Sequence, residues 1–310
     1  MLVMGPWFHG GWARADGSSL GQVHFNSKTS EYYRERIEFP FFTHYLKGGP
    51  DPKLPEAMVF ETGTNVWRRY ETWPPRNVKP ASLFLQADGK LGWTAPKQGG
   101  AEFDEYISDP NKPVPFSNEI TINMTREHMV DDQRFASTRP DVLVYQTGVL
   151  DRDLTIAGPI SADIRVSTTG TDSDWVVKVI DVYPDDYQPG EPPAPSRRGG
   201  VPFSKMGGYQ QLLRGEVMRG KFRTGYSTPQ AFKPGEVTKV EYTMPDVCHT
   251  FRKGHRIMVQ IQSSWFPLVD RNPQQFLDIF QAKSTDFKKA TQHVYHTPAS
   301  PSSVRLMIQQ

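Results

Sequence analysis

His9 lies in Gly5-Pro6-Trp7-Phe8-His9-Gly10-Gly11-Trp12, directly after the apolar run Met1-Leu2-Val3-Met4. A few apolar residues followed by a Gly-Pro break read as a short buried strand that ends in a turn. A triad in the chain order serine, acid, histidine carries its imidazole on a loop after a late sheet strand. The spacing here fits that placement. Such a ring takes the proton from a serine hydroxyl and returns it to the leaving group. Flanking glycines let the backbone turn and bring the ring over a nucleophile. A histidine drawn at random is more often a surface or satisfied core residue; the turn around His9 raises its standing as a catalytic candidate.

Other reactive residues are weaker. Gly17-Ser18-Ser19-Leu20-Gly21 matches Gly-x-Ser-x-Gly, but a nucleophile elbow needs a strand directly before the serine and a helix directly after it. Residues 10–16 read as no strand, and Ser19 follows the histidine, so it is taken as a chance match. His24, His44, His128, His249, His255, His293 and His296 show no pair at metal-ligand spacing with a further ligand nearby. His293 and His296 come closest, and a polar loop explains them better. Asp172, Asp174 and Asp181 suggest calcium only weakly, because a strand over 174–181 spreads such side chains along its length. No metal and no other cofactor is expected. Trp175, Trp265 and Phe266 are read as core aromatics in preference to sugar-stacking platforms.

The elements that position these residues change character along the chain. Residues 13–35 form a polar loop with some helix near 30–36. Ile37, Phe41, Phe42, Tyr45 and Leu46 have helical spacing, with Gly48 as the stop. Pro40 either starts a new helix or kinks one. A strand follows at 57–63, then an aromatic-rich connection from Asn65 to Pro75. From about residue 78, period-two alternation recurs: Leu83/Leu85, Ile160 to Val166, Val177/Val179, Val240 to Met244, Ile257 to Ile261 and Val304 to Ile308. Helical periodicity is nearly absent there, apart from a short stretch around 276–290. This pattern predicts a mainly β fold, a β-sandwich with the jelly roll as the favoured version. Residues 187–208, rich in proline and glycine, are expected to form an exposed loop.

With 36 basic against 34 acidic residues the charge is balanced, and no basic stripe recommends a nucleic-acid or membrane-surface partner. No apolar run reaches the length of a membrane span. The single cysteine, Cys248, excludes an internal disulfide and a cysteine-rich zinc site. A buried strand starting at residue 1, with no turn or partner strand before it, leads to the expectation that the chain starts inside a domain.

Gly5-Pro6-Trp7-Phe8-His9-Gly10 resembles the Gly-Pro-Trp-x-His motif of the α-amino acid ester hydrolases. That motif is shared with glutaryl-7-aminocephalosporanic acid acylases, bacterial cocaine esterase and X-Pro dipeptidyl-peptidases. The similarity continues through Phe41–Gly48, Phe60–Trp67, Thr171–Val182, Gly254–Gln260 and Ser263–Pro273. Tyr183-Pro184-Asp185-Asp186 and Gly207-Gly208-Tyr209-Gln210-Gln211 point to the α-amino acid ester hydrolase branch. The resemblance implies that residues 1–76 are the C-terminal segment of an α/β-hydrolase domain and that residues 77–310 are a jelly-roll β-sandwich. It implies acyl transfer through a serine ester, with α-amino acid esters or amides as substrates, β-lactam acyl donors included. X-Pro dipeptidyl-peptidase or cocaine-esterase-like activity is the alternative within the class. The family's nucleophile, oxyanion donors, triad acid and ammonium-binding acidic cluster precede the histidine motif, so only His9 carries over, and the chain alone is expected to be inactive. Met129 and Val130, ahead of Asp131-Asp132-Gln133-Arg134, are assigned to a loop bordering the acyl pocket. A small ester, amide or short peptide is the expected partner, with a homo-oligomer in the full-length enzyme and a periplasmic or secreted location. The rival from another class is a jelly-roll binding module for sugar or a partner subunit.

Overall fold

The computed structural model describes residues 1–97, 99–119, 121–188 and 206–310. Its first part is a three-stranded sheet. Strand β1 (Leu2–Met4) runs parallel to β4 (Ala57–Glu61), with Leu2, Val3 and Met4 opposite Ala57, Met58 and Val59. All five residues of β4 are buried, which fits its continuous apolar run. Strand β5 (Val66–Tyr70) pairs antiparallel with β4, so the connection expected over 65–75 contains a strand. The adjacent Arg68 and Arg69 break the alternation that would have revealed it. Gly63 (φ 88°) and Asn65 (φ 60°) turn this hairpin. A Cβ on Gly63 would lie 2.0 Å from the Thr250 carbonyl oxygen, so glycine is required there by contact as well as by φ.

Between β1 and β4 lie helix α1 (Gly11–Arg14), the small hairpin of β2 (Ser19–Leu20) and β3 (Val23–His24), and helix α2 (Thr29–Tyr33). Helix α2 passes through a π-helical turn, Arg34–Glu38, into α3 (Phe39–Lys47). Pro40 sits in the first turn of α3, where a missing N–H interrupts the bonding ladder and the wider turn ahead absorbs it. Gly48 ends α3 at φ 65°, with Gly48 N–H on His44 O and Gly49 N–H on Thr43 O, both 3.1 Å. With Gly48 left-handed, the bond from its N–H to His44 O is that of an αL C-cap. No residue of α3 is buried: Phe39, Phe42, Tyr45 and Leu46 are exposed.

The rest is mainly β, as expected, and the alternating runs become strands. These are β6 (Val78–Gln86), β7 (Lys90–Gly92), β8 (Phe103–Ser108), β9 (Leu143–Gln146), β10 (Leu154–Thr168), β11 (Asp174–Val182), β12 (Gln210–Arg219), β13 (Thr238–Phe251), β14 (Arg256–Gln262), β15 (Ala290–Tyr295) and β16 (Ser303–Gln309). Hydrogen bonding runs β12-β11-β14-β9-β7-β6-β16-β10-β15-β8, with β13 added on β10. Long β10 changes register between Gly158 and Ile160 against β13, and such bulges bend a strand from one layer towards the other. Trp175, Val177 and Val179 of β11 face the main core with Tyr145, Ile160, Ile164, Val259 and Leu306. Val176 and Ile180 face a second apolar layer with Leu212, Met258 and Trp265. Both sides of β11 are covered, so its sequence is apolar almost throughout.

Several local expectations are corrected. The stretch near 276–290 contains two 3-10 turns, Ile279–Gln281 and Ser284–Asp286, and no α-helix. Trp175 and Trp265 are buried, but Phe266 is 37% exposed, with the Arg271 guanidinium 5.6 Å from its ring centre. His293 belongs to β15 and not to a polar loop, and His296 opens the connection after that strand; His293 Nε2 lies 3.2 Å from Glu105 and His296 Nε2 3.2 Å from Asp104. Asp172 and Asp174 converge, both accepting from Asn272 Nδ2 at 3.2 and 2.8 Å. Asp172 precedes β11 and its side chain is therefore not held to the strand's alternation. Among the described residues no cluster of three His, Cys, Asp or Glu side chains could hold a metal ion. Most of the loop expected at 187–208, residues 189–205, lies outside the described residues.

Lys178 is the polar member of the second apolar layer. Its Nζ donates to Gln133 Oε1 at 3.0 Å and lies 5.4 Å from the Trp265 ring centre. With no carboxylate partner, burial pulls the ammonium down to about 7. The unfolded chain therefore binds the extra proton more readily from there up to the ordinary lysine value, so stability rises with pH across that window. Urea unfolding of wild type and Lys178→Met from pH 7 to 10 is expected to show this rise in the wild type and its loss in the variant. Equal slopes would place the ammonium in a better-solvated setting.

Candidate functional site

The turn after β1 is built from glycine and aromatic packing. A Cβ on Gly5 would lie 2.5 Å from the Trp7 ring, so the indole can fold back over the strand end only because residue 5 is glycine. Trp7 Nε1 donates to Thr29 Oγ1 at 2.9 Å, and its ring packs on Tyr33 and Trp67 with centroids 5.1 and 6.0 Å apart. Gly10 adopts φ 78° and Gly11 N–H closes the turn on Phe8 O at 2.8 Å. His9 rides on this turn with its side chain exposed. Its ring meets the Trp12 ring edge-on, centroids 6.0 Å apart. Neither imidazole nitrogen is hydrogen-bonded to a described residue. The arrangement holds the ring's backbone firmly while leaving both nitrogens open to a reacting group. Ser19, by contrast, sits in β2 opposite His24 of β3, with no helix after it, so it is no nucleophile elbow.

Beside this turn is a cavity of about 490 Å³. One wall is the exit of β1, Met4 to Trp7, with Leu20, Phe25 and Phe60. The opposite wall is β12 from Leu212 to Val217, with Trp265 and Leu268. Met129 and Val130, on a 3-10 turn, His128–Val130, also line it. That turn is fastened: Tyr209 OH donates to Val130 O at 2.9 Å, and Gln133 bonds Asp131 O and Gln210 O, both 2.9 Å. Burial, with Glu127 nearby, pushes the Asp131 carboxyl up to about 6. The wall from β12 and Trp265 was not foreseen, because nothing in their alternation distinguishes cavity lining from ordinary core.

A second polar group was also missed. Asp181, 1% exposed, lies between His249 Nε2 at 3.2 Å and His255 Nδ1 at 2.8 Å. His249 Nδ1 meets Thr62 Oγ1 at 2.8 Å. Burial pushes the Asp181 carboxyl up, but the two imidazole hydrogen bonds outweigh it and hold the group below the ordinary carboxylate range. Thr62 N–H on Cys248 O and Thr250 N–H on Thr62 O, 3.1 and 2.9 Å, extend the same link from β4 to β13. The cluster ties the first sheet to the sandwich. Neither imidazole is bonded to a serine, so it is not a triad.

Residues 52–305 match the family model of the X-Pro dipeptidyl-peptidase C-terminal non-catalytic domain. The chain belongs to that family. As an X-Pro dipeptidyl-peptidase C-terminal domain it carries a β-sandwich, and the match also takes in β4 and β5; His9 lies before it. The chain is 42% identical to an aminopeptidase of known structure from a marine sediment archaeon (Thaumarchaeota archaeon), at a TM-score of 0.89 over 99% of this chain and 49% of that one. It is 40% identical to the structure of an α-amino acid ester hydrolase, at a TM-score of 0.91 over 99% of this chain and 50% of that one. It is 27% identical to the cocaine esterase of Rhodococcus sp. (strain MB1 Bresler), over 99% of this chain and 51% of the relative. These relatives are hydrolases, and the chain spans about half their length.

Proposed function

We propose that this chain is the C-terminal portion of a serine hydrolase that cleaves α-amino acid esters or amides through an acyl-enzyme, and that His9 is its general base. Residues 1–76 then complete an α/β catalytic domain, and residues 77–310 form its jelly-roll partner. One observation carries the reading: an exposed imidazole on a packed turn, five residues beyond the end of a strand that runs parallel to its neighbour. Strand, glycine turn and histidine in that order are what a late triad position requires.

In this mechanism His9 takes the hydroxyl proton as serine attacks the carbonyl and gives it to the departing alkoxide or amine. It then deprotonates water to release the acid. The serine and the triad acid come from chain before His9. The 490 Å³ cavity beside the turn, with Met129 and Val130 at its border, receives the acyl group. Likeness to the archaeal aminopeptidase favours a second reading within the class, cleavage of short peptides, X-Pro sequences included. A pure binding module has no use for an imidazole held on such a turn.

The 310-residue chain alone is expected not to hydrolyse p-nitrophenyl esters of α-amino acids, and Ser19→Ala to change nothing. Joined to an upstream segment with a Gly-x-Ser-x-Gly turn, it is expected to turn them over and to be labelled by a fluorophosphonate on that upstream serine. Turnover by the chain alone that disappears in Ser19→Ala would remove this reading.

A further inference from the structure

Lys178 is fully buried on β11, in the layer formed by Val176, Ile180, Leu212 and Met258. A methionine of similar length would fill the same space, whereas an amine there loses its hydration. What the amine adds is a hold on two neighbours. The first is Trp265: Nζ lies 5.4 Å from the ring centre, within reach of a cation–π attraction. Gly215, opposite Lys178 in β12, leaves room for this approach, since a Cβ there would lie 2.7 Å from the indole and 3.3 Å from Lys178 Cγ. The second is Gln133, itself buried, whose Oε1 accepts from Nζ at 3.0 Å. Ammonium and neutral amine both carry an N–H for this bond. With Oε1 fixed on Lys178, Gln133 Nε2 is turned to Asp131 O at 2.9 Å. Gln260, opposite Lys178 in β14, adds a bond from Nε2 to Gln133 O at 3.3 Å. Leu212 N–H on Asp131 O at 3.3 Å and Gln133 N–H on Gln210 O at 2.9 Å then fasten the segment to β12. Met129 and Val130 lie directly ahead of it in the chain.

We propose that Lys178 is a positioning residue for the pocket beside His9: it holds Trp265 directly and the Met129–Val130 turn through Gln133, and so sets how bulky an acyl group fits between them. Trp265, Met129 and Val130 line the cavity and Lys178 does not, so the lysine acts only through its neighbours. All three lining side chains are apolar, and they discriminate by width. A small outward shift of either group therefore registers on a large acyl group before it registers on a small one. That the pocket holds an acyl group rests on the hydrolase reading; the link from Lys178 to the turn does not.

Lys178→Met tests this directly, because replacing a buried amine that lacks a carboxylate partner by an apolar side chain of like size tends to leave global stability intact. In the 310-residue chain, amide exchange at Gln133 and Leu212 is expected to accelerate about tenfold or more, with exchange in β16 as in wild type. Unchanged exchange at both amides overturns the proposal. So does equal acceleration in β16, which marks a general loss of stability. Gln133→Glu keeps the acceptor for Lys178 but removes the donor to Asp131 O, and should accelerate Leu212 likewise even if Lys178→Met does not fold. In an active full-length protein, Lys178→Met is expected to lower kcat/KM for the p-nitrophenyl ester of phenylalanine about fivefold further than for that of alanine, with the difference carried by KM. Equal losses on the two esters overturn the control of acyl size. Combining Lys178→Met with Gln133→Met should lose no more of the preference than Lys178→Met alone, and fully additive losses overturn the route through Gln133. A full-length protein without esterase activity would refute the hydrolase reading alone, and the exchange result then decides the positioning role.

Discussion

His9→Ala in the complete enzyme is expected to lower kcat by about four to six orders of magnitude, with KM changed only several-fold. In the proposed mechanism the imidazole moves a proton in both acylation and deacylation, so its loss would act on transition states and hardly on substrate binding. Its surroundings make the test clean. The ring is exposed, meets the Trp12 ring edge-on, and is hydrogen-bonded to no described residue. The turn is held by Trp7, Gly5 and the Gly11–Phe8 bond, not by the histidine side chain. Folding stability should therefore stay within about 0.5 kcal/mol of wild type, as for other exposed positions. Steady-state kinetics on an α-amino acid p-nitrophenyl ester, paired with a thermal melt, separates the two effects. A kcat near wild type at unchanged stability takes His9 out of the mechanism.

What could be read from sequence follows from how local each signal is. The sandwich was visible because β10, β11 and β14 each carry a period-two or fully apolar pattern within a single strand. Helix α3 was visible through spacing and its glycine stop. The His9 turn could be found because strand, glycine and imidazole fall within nine residues. Strand β5 was hidden because Arg68 and Arg69 sit side by side on it. Arg68 reaches back to Glu61 at 2.8 Å, and Arg69 Nη2 caps the Lys53 carbonyl at 2.8 Å. Those roles exist only once the hairpin has formed. The β12 wall of the cavity lies on a strand whose pairing with β11 shifts between Val179 and Ile180, an irregularity with no mark in the residue pattern. Asp181 drew attention only as a doubtful calcium ligand. Its real partners, His249 and His255, lie 68 and 74 residues further along the chain. Only the packing of three strands brings them together.

That cluster supplies the largest expected effect on stability. Asp181→Ala is expected to cost about 3–5 kcal/mol at neutral pH, the usual price of removing one partner from a buried ionic group. Two imidazole N–H donors lose their carboxylate acceptor at a buried site, and His249 loses the bond that fixes its ring on Thr62. The pH dependence follows from the depressed carboxyl. Its contribution is fully present above the unfolded-chain value of 3.8 and is lost as pH falls through the lower folded value. Urea midpoints of wild type and Asp181→Ala should therefore be far apart at pH 7 and approach each other as the solution is acidified below 3.8. Equal stabilities at pH 7 would show that the imidazoles find other acceptors. The damage should also be localised. Amide exchange at Thr62 and Thr250, whose N–H groups join β4 to β13, should accelerate more than exchange in β14, which pairs on both sides with β11 and β9. Since β4 is also the strand on which β1 rests, loosening that seam moves the His9 turn relative to β12. In an active full-length protein, Asp181→Ala should therefore lower kcat/KM about tenfold or more, although its side chain lies apart from the lining of the cavity beside His9.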